Sequence, residues 1–172
     1  VTREELELMK LTELTLRKAL DLAADTEAAA AQRYQELARQ FADNPSVAEV
    51  FTQLASDEST HEAHFRGVAS RVPEGEPSRR DDDSMELVRA SVASEFFKPG
   101  GFATAEVKTP ADALQKALGL ERATLFFYIS LQDVMGENPE LAHLIQAEKR
   151  HVTSLMKVLL SDAKFRSLDD NW

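Results

Sequence analysis

Residues 54–65, LASDESTHEAHF, place a carboxylate and an imidazole where a helix wants apolar side chains. Val47, Val50, Leu54, Phe65 and Val68 recur around them at spacings of three and four, the period of one helix face, and Glu58 and His61 fall in the same stripe. Residues three apart on a helix are neighbours on its surface, so this carboxylate and this imidazole point at one place. An uncompensated carboxylate in a core is costly. The segment therefore predicts one wall of a site at which something positive balances the charge.

The arrangement recurs 90 positions later, where Glu148-Lys-Arg-His151 interrupts the stripe Leu141, Leu144, Leu155, Val158. Two further stripes each carry one glutamate. Glu27 lies in the segment 12–42, and Glu121 lies among Leu114, Ala117, Leu125, Tyr128 and Gln132. Together the stripes predict four helices over about 12–42, 46–71, 109–135 and 138–163, with no period-two run competing. Ser46 with Glu49 marks the start of the second. Thr109-Pro110 and Asn138-Pro139 mark the third and fourth, each a cap followed by proline at the first helical position. Thr2 with Glu5 reads as a capping box for a short helical lead.

Short links make each pair an antiparallel hairpin. The crossover, about 72–108, is long. It begins with a charged stretch (RVPEGEPSRRDDDS, 71–84) in which Asp81, Asp82 and Asp83 read as solvated or as a helix lead-in. It continues into a short amphipathic helix started by Ser84, and Phe96, Phe97 and Phe102 follow as packing or interface residues. The fold class is all-α: one domain over 1–172, two antiparallel helical hairpins joined by a long crossover containing a short helix, which is the ferritin-like variant of the four-helix bundle.

Composition bounds the function. The 172 residues carry a formal charge of −10 and no cysteine, which removes disulfides, thiolate zinc sites, cysteine nucleophiles and cysteine-held iron–sulfur clusters. The acidic balance argues against nucleic acid as a partner. No apolar run reaches the length of a membrane span, and the first residues lack the apolar core of a signal peptide, so a soluble, cytoplasmic protein is expected.

Four glutamates and two histidines from four helices suit two metal ions. Carboxylate oxygen and imidazole nitrogen favour iron, manganese or zinc, and two divalent cations balance four ionised glutamates. With 18 glutamates and four histidines, chance supplies about 0.4 Glu-x-x-His pairs, and three occur. The third, Glu140-Leu-Ala-His143, sits at the wrong depth. Relative to Glu121 across the hairpin it is displaced by roughly 20 Å, against roughly 7 Å for Glu148, at the helical rise per residue. Glu140 reads instead as a first-turn acid, with His143 on an outer face. The only two tyrosines, Tyr34 and Tyr128, each follow a core glutamate by seven residues and share its face, and a buried phenol needs such a partner. Shifts of 94 (Glu27, Tyr34) and 90 (Glu58, His61) map one hairpin onto the other, an internal repeat about a pseudo-twofold axis. Asp57, Glu62 and His64 rotate off the stripe and read as surface.

On these motifs, EAAAAQRY (27–34), ESTH (58–61), ERATLFFY (121–128) and EKRH (148–151), the chain resembles the rubrerythrin-like branch of the ferritin-like superfamily over about 20–70 and 108–160. The resemblance implies that Glu27 and Glu121 are carboxylate ligands of two irons, at least partly bridging. Glu58 with His61, and Glu148 with His151, complete the set. It implies reduction of hydrogen peroxide or O₂, or oxidation of ferrous iron. Rubrerythrin proper adds a rubredoxin domain with paired cysteines, which these residues lack, so electrons come from an external donor protein or from ferrous iron. Rubrerythrin also carries an extra glutamate where Thr124 stands here, with Leu118 on the other side. Its absence leaves a more symmetric set like that of bacterioferritin ferroxidase centres. The haem-ligating methionine of bacterioferritin is replaced by Ser59, and the crossover is longer than either family suggests.

The expectation is therefore a di-iron oxidoreductase, with manganese as a substitute metal and Tyr34 and Tyr128 orienting carboxylates. A homodimer or higher homo-oligomer is expected. The rivals are a ferroxidase or an iron-storage or iron-delivery protein, an oxygenase with an organic substrate in a channel lined by Phe65, Phe126 and Phe127, and a helical module with a structural metal.

Overall fold

A computed structural model describes residues 14–74, 82–92 and 106–169. They form five helices: α1 (Leu16–Gln40), α2 (Pro45–Ser70), α3 (Asp82–Val92), α4 (Pro110–Met135) and α5 (Pro139–Asp169). The all-α, ferritin-like architecture follows from how they pair. The hairpins α1–α2 and α4–α5 pack side by side, α2 lies against α5, and α3 lies against α4. Among the described residues no helix is long and apolar enough to cross a membrane.

The starts of the helices have local causes. Thr109 Oγ1 accepts from Asp112 N at 3.1 Å, and Asn138 Oδ1 accepts from Glu140 N and Leu141 N at 3.0 and 3.1 Å, as the cap-proline signals predict. The second start is corrected: Asn44, not Ser46, caps α2, accepting from Val47 N at 3.3 Å, with Pro45 at the first helical position. Ser46 lies inside the first turn, where its hydroxyl has no cap to make. The first helix begins at Leu16 rather than near 12, because Thr15 is extended and its hydroxyl accepts from Lys18 N at 3.2 Å. The crossover helix opens at Asp82, two residues before Ser84. α5 continues past 163 to Asp169. The helical lead around Thr2 and Glu5, together with Asp81, Phe96, Phe97 and Phe102, lies outside the described residues. Between α4 and α5, Gly136 adopts φ 75°, a left-handed backbone that glycine supplies without strain, and its N–H closes α4 on Gln132 O at 2.8 Å.

Asn44 both caps α2 and ties the α1–α2 turn, through its N–H to Phe41 O at 2.9 Å. Asn44→Ala is expected to cost about 1 kcal/mol and lower the melting temperature by about 2–4 °C, with Asn44→Ser restoring most of it, as thermal unfolding by circular dichroism would read.

The core is built in two storeys. One cluster joins Leu20, Ala23 and Ala24 to Phe65, Tyr128, Leu131, Leu141 and Leu144, and includes Met85 and Val88 of α3. The other joins Tyr34, Leu37, Phe51, Leu54, Leu114, Ala117, Leu120 and Leu155. On every long helix the charged stripe residues fall between the two. Phe51 rather than Val50 fills the second storey, and Thr124 and Leu131 are buried where Leu125 and Gln132 are only partly so.

Candidate metal centre

The layer between the storeys holds Glu27, Glu58, His61, Glu121, Glu148 and His151, none more than 5% exposed. One helix turn brings Glu58 and His61 together, with Nδ1 of His61 2.7 Å from Glu58 Oε2. The same nitrogen reaches across the bundle to Glu148 Oε1 at 3.0 Å. His151 Nδ1 lies 3.2 Å from Glu58 Oε1, 3.2 Å from Glu121 Oε2 and 3.6 Å from Glu148 Oε2. The imidazole rings stack at 5.3 Å. Ligand atoms of Glu58, His61, Glu148 and His151 all lie within 4.8 Å of one another. Glu27 and Glu121 flank this group, close enough to Glu58 and Glu148 respectively for the carboxyl groups to interact. The structure thus brings all six sequence-derived residues to one place.

The tyrosines cross. Tyr34 donates its hydroxyl to Glu121, and Tyr128 donates to Glu27. Each shares a face with the glutamate of its own helix yet bonds to the equivalent glutamate of the other hairpin, as a pseudo-twofold axis through the centre requires. Burial, and then the neighbouring Glu121, push the Tyr34 phenol well above its ordinary range, so it remains a donor. The third Glu-x-x-His stays outside: Glu140 pairs with Arg71 at the surface, and His143 is exposed.

Protonation lessens the charge of the metal-free layer. Burial, then the charges of Glu58 and Glu148, raise Glu27 and Glu121 well above the usual carboxylate range. Burial opposes ionisation of Glu58 and Glu148 too, but contacts with His151 and His61 outweigh it and hold both below that range, Glu148 at about 2. Burial disfavours the imidazoliums, yet Glu148 and Glu58 raise His61 to about 9, and Glu121, Glu148 and Glu58 raise His151 further. The shifts push Glu27 and Glu121 toward the carboxylic acid, hold Glu58 and Glu148 as carboxylates and favour the imidazolium at both histidines, which lessens the net charge of the metal-free layer.

Two features fit this set to divalent metal. Glu58 Oε1 and Glu148 Oε1 are buried and face a histidine Nδ1 at 3.2 and 3.0 Å without the alignment of a hydrogen bond, and both histidines turn Nδ1 inward. Imidazole and carboxyl groups shed their protons to bind metal, so filling the site with divalent ions is expected to release protons near pH 7. Each raised group favours the metal-free form as pH falls, so affinity should weaken steadily below about pH 9, where His61 takes up its proton. Titration in weakly buffered solution with a pH indicator would count the protons. Absence of any release would contradict the raised groups.

Two neighbours complete the site. Asp57, which reads from sequence as surface, is a correction: its side chain is part-exposed, yet Oδ2 lies 3.2 Å from His151 Nε2. It reaches from α2 to α5, fixes the outer nitrogen as the protonated one and leaves Nδ1 free for metal. The only sequence signal is an aspartate immediately before the glutamate of a Glu-x-x-His. Buried Thr124 donates its hydroxyl to Glu148 Oε2 at 3.3 Å. Phe65 and Phe127 pack against Tyr128, at 4.6 and 5.9 Å between ring centres, while Phe126 is half-exposed. Phe65 and Phe127 serve as core and Phe126 as surface.

Among models of protein families, the one described as Rubrerythrin matches residues 18–159. No curated protein and no solved structure matches the chain.

Proposed function

Because the chain belongs to the rubrerythrin family, we propose that Glu27, Glu58, His61, Glu121, Glu148 and His151 hold two iron ions. On this reading the protein is a di-iron carboxylate oxidoreductase that reduces hydrogen peroxide or O₂. One observation carries the reading: four buried carboxylates and two inward-facing imidazoles form a single layer whose charge two divalent cations would balance. Two ferrous ions, when bound, supply one electron each and a concentrated positive charge for O–O chemistry.

The chain's own groups supply the rest. His61 and His151 present Nδ1, and Asp57 holds the far nitrogen of His151. Tyr34 and Tyr128 each donate one hydrogen bond to a glutamate and so leave the other oxygen of that carboxylate for metal. The two apolar storeys keep bulk water from the layer, which strengthens every charge interaction inside it. These 172 residues hold no cysteine, and the electrons come from ferrous iron or from an external donor protein. Manganese is compatible with the same donor atoms.

Anaerobic ferrous loading followed by stopped-flow mixing with peroxide or O₂ tests the reading. Two irons per chain and a change of oxidation state on mixing are expected. Fewer than two irons, or inertness to both oxidants, would overturn it. A second reading, ferrous-iron oxidation for storage or delivery, is favoured by Thr124, which leaves the site with the symmetric six-residue set. It predicts iron accumulating beyond two per chain, whereas the first predicts catalytic turnover at two.

A further inference from the structure

The internal repeat is broken at one position beside the centre. The 90-residue shift that carries Glu58 to Glu148 and His61 to His151 carries Asp57 to Ala147. Asp57 therefore braces the outer nitrogen of His151, and on the other side a methyl group stands where a matching carboxylate would brace His61. His61 is only 5% exposed. With Nδ1 turned to Glu58 and Glu148, its Nε2 makes no hydrogen bond among the described residues. The ring instead lines a cavity of about 220 Å³ between α2 and α5, walled by Asp57, Thr60, His64, His143, Ala147 and Arg150.

Size and charge say what this cavity takes. Sites for organic ligands run from about 300 to 1,000 Å³, and a water occupies about 30 Å³ of liquid, so the space holds a molecule of a few heavy atoms. A larger groove, about 800 Å³, lies along the outer side of α1 and α2 between Ala38, Ala55, Ser56 and Ser59 and touches none of the six core residues. In a chain of net charge −10 the cavity wall carries Arg150, and the Asp57 carboxylate is engaged by His151. The local balance is neutral, with a cation at the rim, which suits a small polar molecule or a monoanion better than a metal cation.

We infer that the cavity over His61 is the access port of the metal centre, through which small polar or singly anionic ligands reach it on the His61 side, while Asp57 closes the His151 side. This rests on the two-metal reading above and adds the direction and class of access.

Azide is a suitable probe, read by the visible absorbance of protein loaded anaerobically with cobalt(II). Wild-type protein should bind two cobalt ions per chain and then azide. Ala147→Leu fills the port and should slow azide association at least about tenfold, since entry then needs the side chain to move, with cobalt stoichiometry kept. Arg150→Glu, at an exposed position, should slow it by about three- to tenfold at low ionic strength, and the difference should vanish in high salt. Failure of the wild type to take two cobalt ions would sink the two-metal reading and the port with it. Two cobalt ions without azide binding, or azide rates unchanged in either variant, would overturn the port alone. The surface variant keeps the test decisive if Ala147→Leu does not fold.

Discussion

Glu148→Ala is expected to bind fewer than two metal ions per chain, with affinity for the remaining metal lowered at least about 100-fold, beyond the loss typical of an outer neighbour of a ligand. Glu148 is the residue on which the layer converges. One oxygen faces His61 at 3.0 Å, the other lies 3.3 Å from Thr124, and His151 is a turn away. Removing it also leaves two buried imidazoliums with too little negative charge. The metal-free variant should therefore lose about 3–5 kcal/mol of stability, the range for a broken buried ion pair. Glu140→Ala and His143→Ala are the controls: the same motif, in the first turns of the same helix, but paired or exposed at the surface. Both should bind two metals as the wild type does. Anaerobic cobalt or ferrous titration with urea unfolding reads both effects, and two metals retained by Glu148→Ala would remove that residue from the ligand set.

Phe65→Ala should be the most damaging apolar substitution, costing about 3–5 kcal/mol. The ring is fully buried and lies 4.6 Å from that of Tyr128, so the cavity opens beside the phenol that donates to Glu27. The loss should reach the centre, and the variant should load metal more slowly or less tightly than its residual stability alone would suggest. Phe126→Ala, two positions before Tyr128 on the same helix but half-exposed, should change stability by less than about 0.5 kcal/mol. Equal costs for the two would mean that the first storey does not support the site.

Much of the bundle and of its centre is legible in the amino-acid sequence, for reasons particular residues make plain. A carboxylate in an apolar stripe is improbable enough that Glu27, Glu58, Glu121 and Glu148 stand out, and the depth of each along its hairpin separates Glu148 from Glu140. What stays hidden depends on rotation and on contacts between helices. Periodicity places a residue on a face only within a broad arc, so Val50 reads as inward and Phe51 does not. Asp57 lies at the edge of its arc, and its role comes from a histidine 94 positions away. That Tyr34 serves Glu121, and Tyr128 serves Glu27, follows only once the hairpins are docked. Asn44 and Ser46 are both good caps by type, and only backbone geometry chooses between them.

The crossed tyrosine bonds also set an order of events as the chain folds. They join residues 87 and 101 positions apart, whereas each hairpin closes over a turn of a few residues. Contacts so distant in sequence carry the larger loop-closure entropy and form late. Each hairpin presents only half of the donor atoms, two glutamates and one histidine, and the full constellation exists only after docking. A nascent or partly unfolded chain is thus a poor trap for iron, and on the two-metal reading metal capture becomes a final, checkable mark that the two halves have met.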